Sequence, residues 1–129
     1  MKELFIAFIL FFIIDLPYLI LIVGDYYSNL IKNIQKTKFE VKPLGALLAY
    51  IIMSIAVKYL VLDRSKSVND VIYNGFLTAL VGYGLFDFTN YAIFKNWTLI
   101  ASIKDLIWGV ILFTSVSYLT YKILRYRID

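Results

Sequence analysis

LFIAFILFFIIDLPYLILIV, the run from Leu4 to Val23, holds twenty residues with one charge, Asp15, and one proline, Pro17. Wound as a helix at about 1.5 Å per residue, it spans about 30 Å, the hydrocarbon thickness of a bilayer. Met1-Lys2-Glu3 ahead of it gives a faint likeness to a secretory leader. The run is long for that, contains Asp15 and Pro17, and reaches Gly24-Asp25-Tyr26 without a small-x-small cleavage site. It is therefore expected to remain as a helix.

Working outward, the same pattern recurs over 44–62, 71–94 and 97–124. The intervening stretch 25–42 is polar and carries Lys32, Lys36, Lys38 and Lys42, while Tyr27, Leu30, Ile31 and Ile34 recur at helical spacing. That combination predicts a short helix lying on the membrane interface. Pro43 suits a first helical turn, where its missing N–H has no partner to lose. Asp63-Arg64-Ser65-Lys66-Ser67 makes a tight polar turn, with Ser67 or Asn69 available as an N-cap, and Lys95-Asn96 is a brief break. Connections this short make antiparallel neighbours of the helices they join.

The expected fold is all-α: an integral membrane four-helix bundle, up-down-up-down, one domain over 1–129, with both termini on the same side. Lys2, Arg64, Lys66, Lys122, Arg125 and Arg127 fall on that side, and Lys32, Lys36, Lys38, Lys42 and Lys95 on the other. Six against five points the termini to the cytoplasm by the positive-inside rule.

Composition agrees. Hydrophobic residues make up 61% of the 129-residue chain, against roughly 45–50% in an average soluble domain. A soluble domain this small buries only about two-thirds of its chain area, too little to hide so much apolar surface. There is no cysteine and no histidine. That excludes disulfides, the usual zinc sites, histidine-ligated haem, cysteine nucleophiles and serine–histidine triads. No Gly-rich phosphate loop is present. No cofactor and no metal are expected. The net charge of +4 comes from basic residues at segment ends, so the expected partner is the lipid bilayer and not nucleic acid.

Charges within the spans are the informative exceptions, since each costs at least ~2.5–3.5 kcal/mol at mid-helix. They are Asp15, Lys58, Asp87, Lys104 and Asp105. Measured from the loop face opposite the termini, Asp87 and Asp105 each lie about 12 Å deep, and Asp15 about 15 Å. Three carboxylates on three helices thus share one layer. Tyr83, Asp87 and Asn90 fall on one helical stripe, Asp105 and Trp108 share a face with Gly109 beside them, and Tyr18 is one turn from Asp15. Tyr50 lies near the same level, and Pro17 removes the bond to the Ile13 carbonyl. Gly75, Ala79 and Gly82 make a small-residue stripe suited to close helix packing. Lys58, near its helix end, is expected to snorkel to the interface. Lys104 either snorkels in the same way or is the charge partner for Asp15 or Asp87, and it points about 100° away from Asp105 on their helix.

Val81-Gly82-Tyr83-Gly84 has the core letters of a potassium filter, but Leu80 and Leu85 replace its threonine and aspartate within an unbroken apolar run. It is read as an ordinary helix.

Tyr83-Gly84-Leu85-Phe86-Asp87-Phe88-Thr89-Asn90-Tyr91-Ala92, then Trp97, then Asp105-Leu106-Ile107-Trp108-Gly109, resembles a family called domain of unknown function 2177. Its small bacterial membrane proteins share a pattern Y-G-x-Y-D-L-T-N-x-A, W, D-x-x-W-G. Phe86 departs from the usual tyrosine, Tyr18 stands where tryptophan is commoner, and the first loop is lysine-rich. The resemblance implies a four-helix fold and no activity.

The candidate ligand- or ion-binding residues are Asp15, Tyr18, Tyr83, Asp87, Asn90, Asp105 and Trp108. The leading expectation is small-solute or ion/proton-coupled transport or ligand binding, with a homodimer or a larger membrane complex as the working unit. The alternatives are a non-catalytic subunit of a larger assembly, and an intramembrane enzyme acting on a lipid-like substrate.

Overall fold

The computed structural model of the chain describes residues 1–128, with side chains described through Arg125. Asp129 and the side chain of Arg127, one of the basic residues counted above, lie outside that description. The described residues form helices joined by short connections, with no strand among them. Four helices are long and apolar enough to cross a membrane: Lys2–Ile22, Pro43–Arg64, Val68–Ile93 and Leu99–Arg125.

The first runs as α1 (Lys2–Pro17) and continues as one wide turn over Tyr18–Ile22. Pro17 is the cause, since it has no N–H for the Ile13 carbonyl. Beyond it the register changes: the Tyr18 N–H bonds the Asp15 carbonyl, and the Val23 N–H reaches the Tyr18 carbonyl at 3.1 Å. Five-residue spacing of this kind is the signature of a π-bulge.

α2 (Gly24–Gln35) follows at once and ends at Lys36, whose φ of 62° puts a non-glycine residue in the left-handed region. Its apolar stripe of Tyr27, Leu30, Ile31 and Ile34 packs with Tyr26 against Trp97 and Ala101. Lys32 and Lys36 are exposed.

α3 (Pro43–Ala56) starts on its proline and passes through a second wide turn, Val57–Val61, and a tight one, Leu62–Arg64. α4 (Val68–Ile93) is capped by Ser67, whose hydroxyl accepts from the Asp70 N–H at 3.2 Å. Asp70 returns the contact to the Lys66 N–H at 2.9 Å, so two end donors are satisfied reciprocally. α5 (Leu99–Ile128) begins two residues later than the pattern predicts. Thr98 is its cap, accepting from the Ala101 N–H at 3.1 Å, which leaves Trp97 in the connection.

α4 packs along α5, with Gly75 meeting Thr114 and Ser117, and Gly109 meeting Tyr83. α1 packs on α3 and α5, and the Val57–Val61 turn joins that group to α4. The core is Ala7, Phe11, Val57, Val61, Val71, Ala79, Leu112, Phe113 and Val116 around Tyr50. Outward faces are just as apolar, with Phe5, Leu21, Ile52 and Leu85 all exposed. An apolar exterior around an apolar core is what a bilayer solvates.

Candidate functional site

Because the Val57–Val61 turn, more than α3 itself, carries the packing onto α4, α3 and α4 part above it. A cleft of about 640 Å³ opens there. Ala46, Ala49 and Met53 form one wall, Thr78, Gly82 and Phe86 the other, and Asp15 and Asp105 lie at its floor.

Asp15 is buried on α1 and holds two other helices. Its Oδ2 accepts from the Tyr50 hydroxyl of α3 at 2.7 Å, and its Oδ1 from the Trp108 Nε1–H of α5 at 2.8 Å. Both donors are themselves held. The Tyr50 ring lies parallel to Phe11 at 6.4 Å between centroids, and the Trp108 indole stacks on Tyr18 at 3.8 Å. Tyr18 reaches that indole from the first residue of the π turn, so the proline-induced change of register places it.

Asp87 is fully buried on α4, and neither of its carboxylate oxygens finds a donor among the described residues. The antiparallel register that sets Gly75 against Ser117 and Tyr83 against Gly109 brings Asp87 opposite Asp105 across the α4–α5 seam. Asp105 also lies beside Asp15 and beside the Tyr27 hydroxyl, a buried group with no partner of good geometry. Burial holds the Tyr27 hydroxyl well above the usual phenol range, and the nearby carboxylates push it the same way. Behind Asp87, the Trp97 Nε1–H donates to Ser102 Oγ at 2.8 Å, and the Ser102 hydroxyl donates to the Asp87 carbonyl at 2.7 Å. This relay fixes the start of α5 against the end of α4.

Tyr83 stands half-buried between the aspartates and α3, its hydroxyl 3.8 Å from Met53 Sδ. Its ring covers Gly109 so closely that a Cβ there would overlap it, so the glycine is a requirement of that approach. Asn90 is half-buried and stands outside the hydrogen-bonded cluster. Lys104, the candidate charge partner, joins neither Asp15 nor Asp87. Its Nζ sits 4.2 Å over the Tyr26 ring. Lys58 pairs with Asp63 at 3.1 Å at the end of its helix.

The three aspartates of one depth thus converge, with Tyr18, Tyr83 and Trp108 around them. Tyr50, Tyr27 and Ser102 belong to the same site. The depth of Tyr50 signalled it, whereas nothing in the spacing of Tyr27 or Ser102 did. Among the described residues the ion pairs are Met1–Glu3 and Lys58–Asp63, so the carboxylate layer contains no lysine or arginine counter-charge.

The profile of a protein family described as Predicted membrane protein (DUF2177) matches residues 1–122. No curated protein and no solved structure matches the chain.

Proposed function

The chain belongs to the DUF2177 family of predicted membrane proteins, and we propose that it binds and carries a small apolar cation, an amine or onium ion, in the cleft between α3 and α4. The observation behind this reading is the unneutralised carboxylate layer. Asp15, Asp87 and Asp105 meet inside the bundle with neutral donors on Asp15 alone and no basic residue paired to any of them. Anionic charge in low dielectric demands a positive partner, and here that partner has to come from outside the chain. The cleft suits such a ligand: apolar walls for its body, carboxylates at the floor for its charge. In this proposal Asp105, Asp15 and Tyr83 face the ligand, Trp108 and Tyr18 hold Asp15 in place, and Asn90 lies outside the lining of the cleft.

The same reading takes the bundle as up-down-up-down with both termini on one side, the cytoplasmic one. The matching of Gly75 with Thr114 and of Tyr83 with Gly109 supports the α4–α5 part of it. Four helices enclose little volume, so a homodimer is proposed as the working unit, within a bilayer and without nucleic acid.

Uptake of radiolabelled tetraethylammonium, a small onium ion that bilayers alone pass slowly, into proteoliposomes tests the proposal. Wild-type protein should accumulate it and Asp105→Asn should not; equal uptake by both would refute the reading. A second reading has the Asp15 contacts in its favour, since a carboxylate held by Tyr50 and Trp108 also suits a purely structural subunit of a larger assembly. On that reading Asp→Asn changes lower stability and no flux exists to be lost.

A further inference from the structure

We infer that Asp87 and Asp105 hold one proton between them, and that this proton is exchanged for the cation entering the cleft. The second half rests on the function proposed above; the first does not.

Two carboxylates in contact inside a bilayer repel unless something positive lies between them. Asp87 is 0% exposed, neither of its oxygens has a donor among the described residues, and the register that sets Tyr83 on Gly109 puts Asp105 opposite it. The other ionisable groups around the pair come from every neighbouring element: Asp15 on α1, Tyr18 on the π turn, Tyr27 on α2 and Tyr83 on α4. Three are phenols and one is a further acid, and Lys104 is turned away onto Tyr26. None supplies positive charge.

A hard metal ion fits poorly. Calcium takes about six to eight oxygens and magnesium demands an octahedron. The pair and the Tyr27 hydroxyl provide five oxygens at most, on side chains packed directly against each other. One proton needs only two oxygens, and it converts the contact into a carboxylic acid donating to a carboxylate.

Asp105 belongs to both places, set against Asp87 across the seam and half-buried in the lining of the cleft. That shared membership makes exchange the natural event. Before it, the pair carries one proton and a net charge of −1. When a monovalent cation settles against Asp105, the O–H bond breaks and the proton leaves to water. Two carboxylates and one cation remain, again −1. The net buried charge is unchanged, and the cost of ionising Asp105 and desolvating the cation is offset by their mutual attraction. One proton moves out for one cation in.

Infrared difference spectroscopy of the full chain in lipid nanodiscs tests both halves. At neutral pH the wild type should show the C=O stretch of a protonated carboxyl. Carboxyl-labelled [13C]aspartate should shift it, Asp87→Asn should abolish it, and saturating tetraethylammonium should remove it. The isotope assignment uses the wild-type chain, so it stands even if the variant does not fold. No protonated-aspartate band at neutral pH overturns the shared proton, as does a band that survives in folded Asp87→Asn. Removal of the band by millimolar sodium, magnesium or calcium leaves the shared proton standing and overturns the apolar cation in favour of a metal ion. A band unaffected by bound tetraethylammonium overturns the exchange. A band that is present while the probe fails to bind overturns the proposed cation ligand and leaves the proton pair standing.

Discussion

Replacing Asp15 with alanine strands two donors at once, the Tyr50 hydroxyl and the Trp108 indole N–H. Two general magnitudes compete here. A buried donor left unpaired costs about 1–3 kcal/mol in soluble proteins. Side-chain hydrogen bonds between membrane helices average only ~0.6 kcal/mol, with a maximum near ~1.7, because the unfolded chain also finds partners in the bilayer. The bonds at Asp15 are short and end on a carboxylate, which puts them at the upper end of the membrane range. Two such bonds give an expected loss of about 2–4 kcal/mol for Asp15→Ala.

The partners should share that loss unequally. Tyr50→Phe removes a hydroxyl and keeps the ring against Phe11, for about 1–2 kcal/mol. Trp108→Phe loses the N–H and also much of the 3.8 Å stack on Tyr18, worth a further ~0.5–1.5 kcal/mol. It should be the more damaging of the two. Unfolding in mixed detergent–lipid bicelles, followed by tryptophan fluorescence and circular dichroism, measures each single variant. A double-mutant cycle of Asp15→Ala with Tyr50→Phe should show coupling of about 0.5–2 kcal/mol. Strict additivity in that cycle, together with Tyr50→Phe matching wild type, would refute the three-helix junction at Asp15.

Gly109→Ala drives a methyl into the Tyr83 ring and should cost about 1–3 kcal/mol of stability, recovered when Tyr83→Ala is added. Ser102→Ala breaks the relay from Trp97 to the Asp87 carbonyl, so stability should fall by about 1–2 kcal/mol with a shift in Trp97 emission. Lys104→Met removes a cation from the Tyr26 ring and should cost no more than about 1 kcal/mol; a loss as large as that of Asp15→Ala would mean that Lys104 charge-balances the layer after all. In alkaline ultraviolet titration Tyr27 should stay neutral where exposed tyrosines ionise, and Tyr27→Phe should delete one late-titrating group. The sign follows from its raised value: the fold holds the Tyr27 proton longer than the unfolded chain does. Stability from this group is therefore complete below about pH 10 and declines as pH rises beyond it, less steeply in Tyr27→Phe.

Depth and identity were set by the sequence alone. Helical rise is constant and bilayer thickness is fixed, so counting from Asp25, Lys95 and Trp97 was enough to bring Asp15, Asp87 and Asp105 to one level. The apolar stripe of α2 was legible for a related reason, since helical period ties Tyr27, Leu30, Ile31 and Ile34 to one face. Azimuth was another matter. Which flank of α5 looks at α4 depends on how closely the helices approach, and that is set by contacts such as Tyr83 over Gly109. Only the folded bundle could therefore decide that Asp87 meets Asp105, that Lys104 goes to Tyr26, and that Asp15 takes Tyr50 and Trp108 as its donors. The cleft has the same origin: a wide turn at Val57–Val61 packs on α4 and lets α3 part from it, and no residue pattern encodes that divergence.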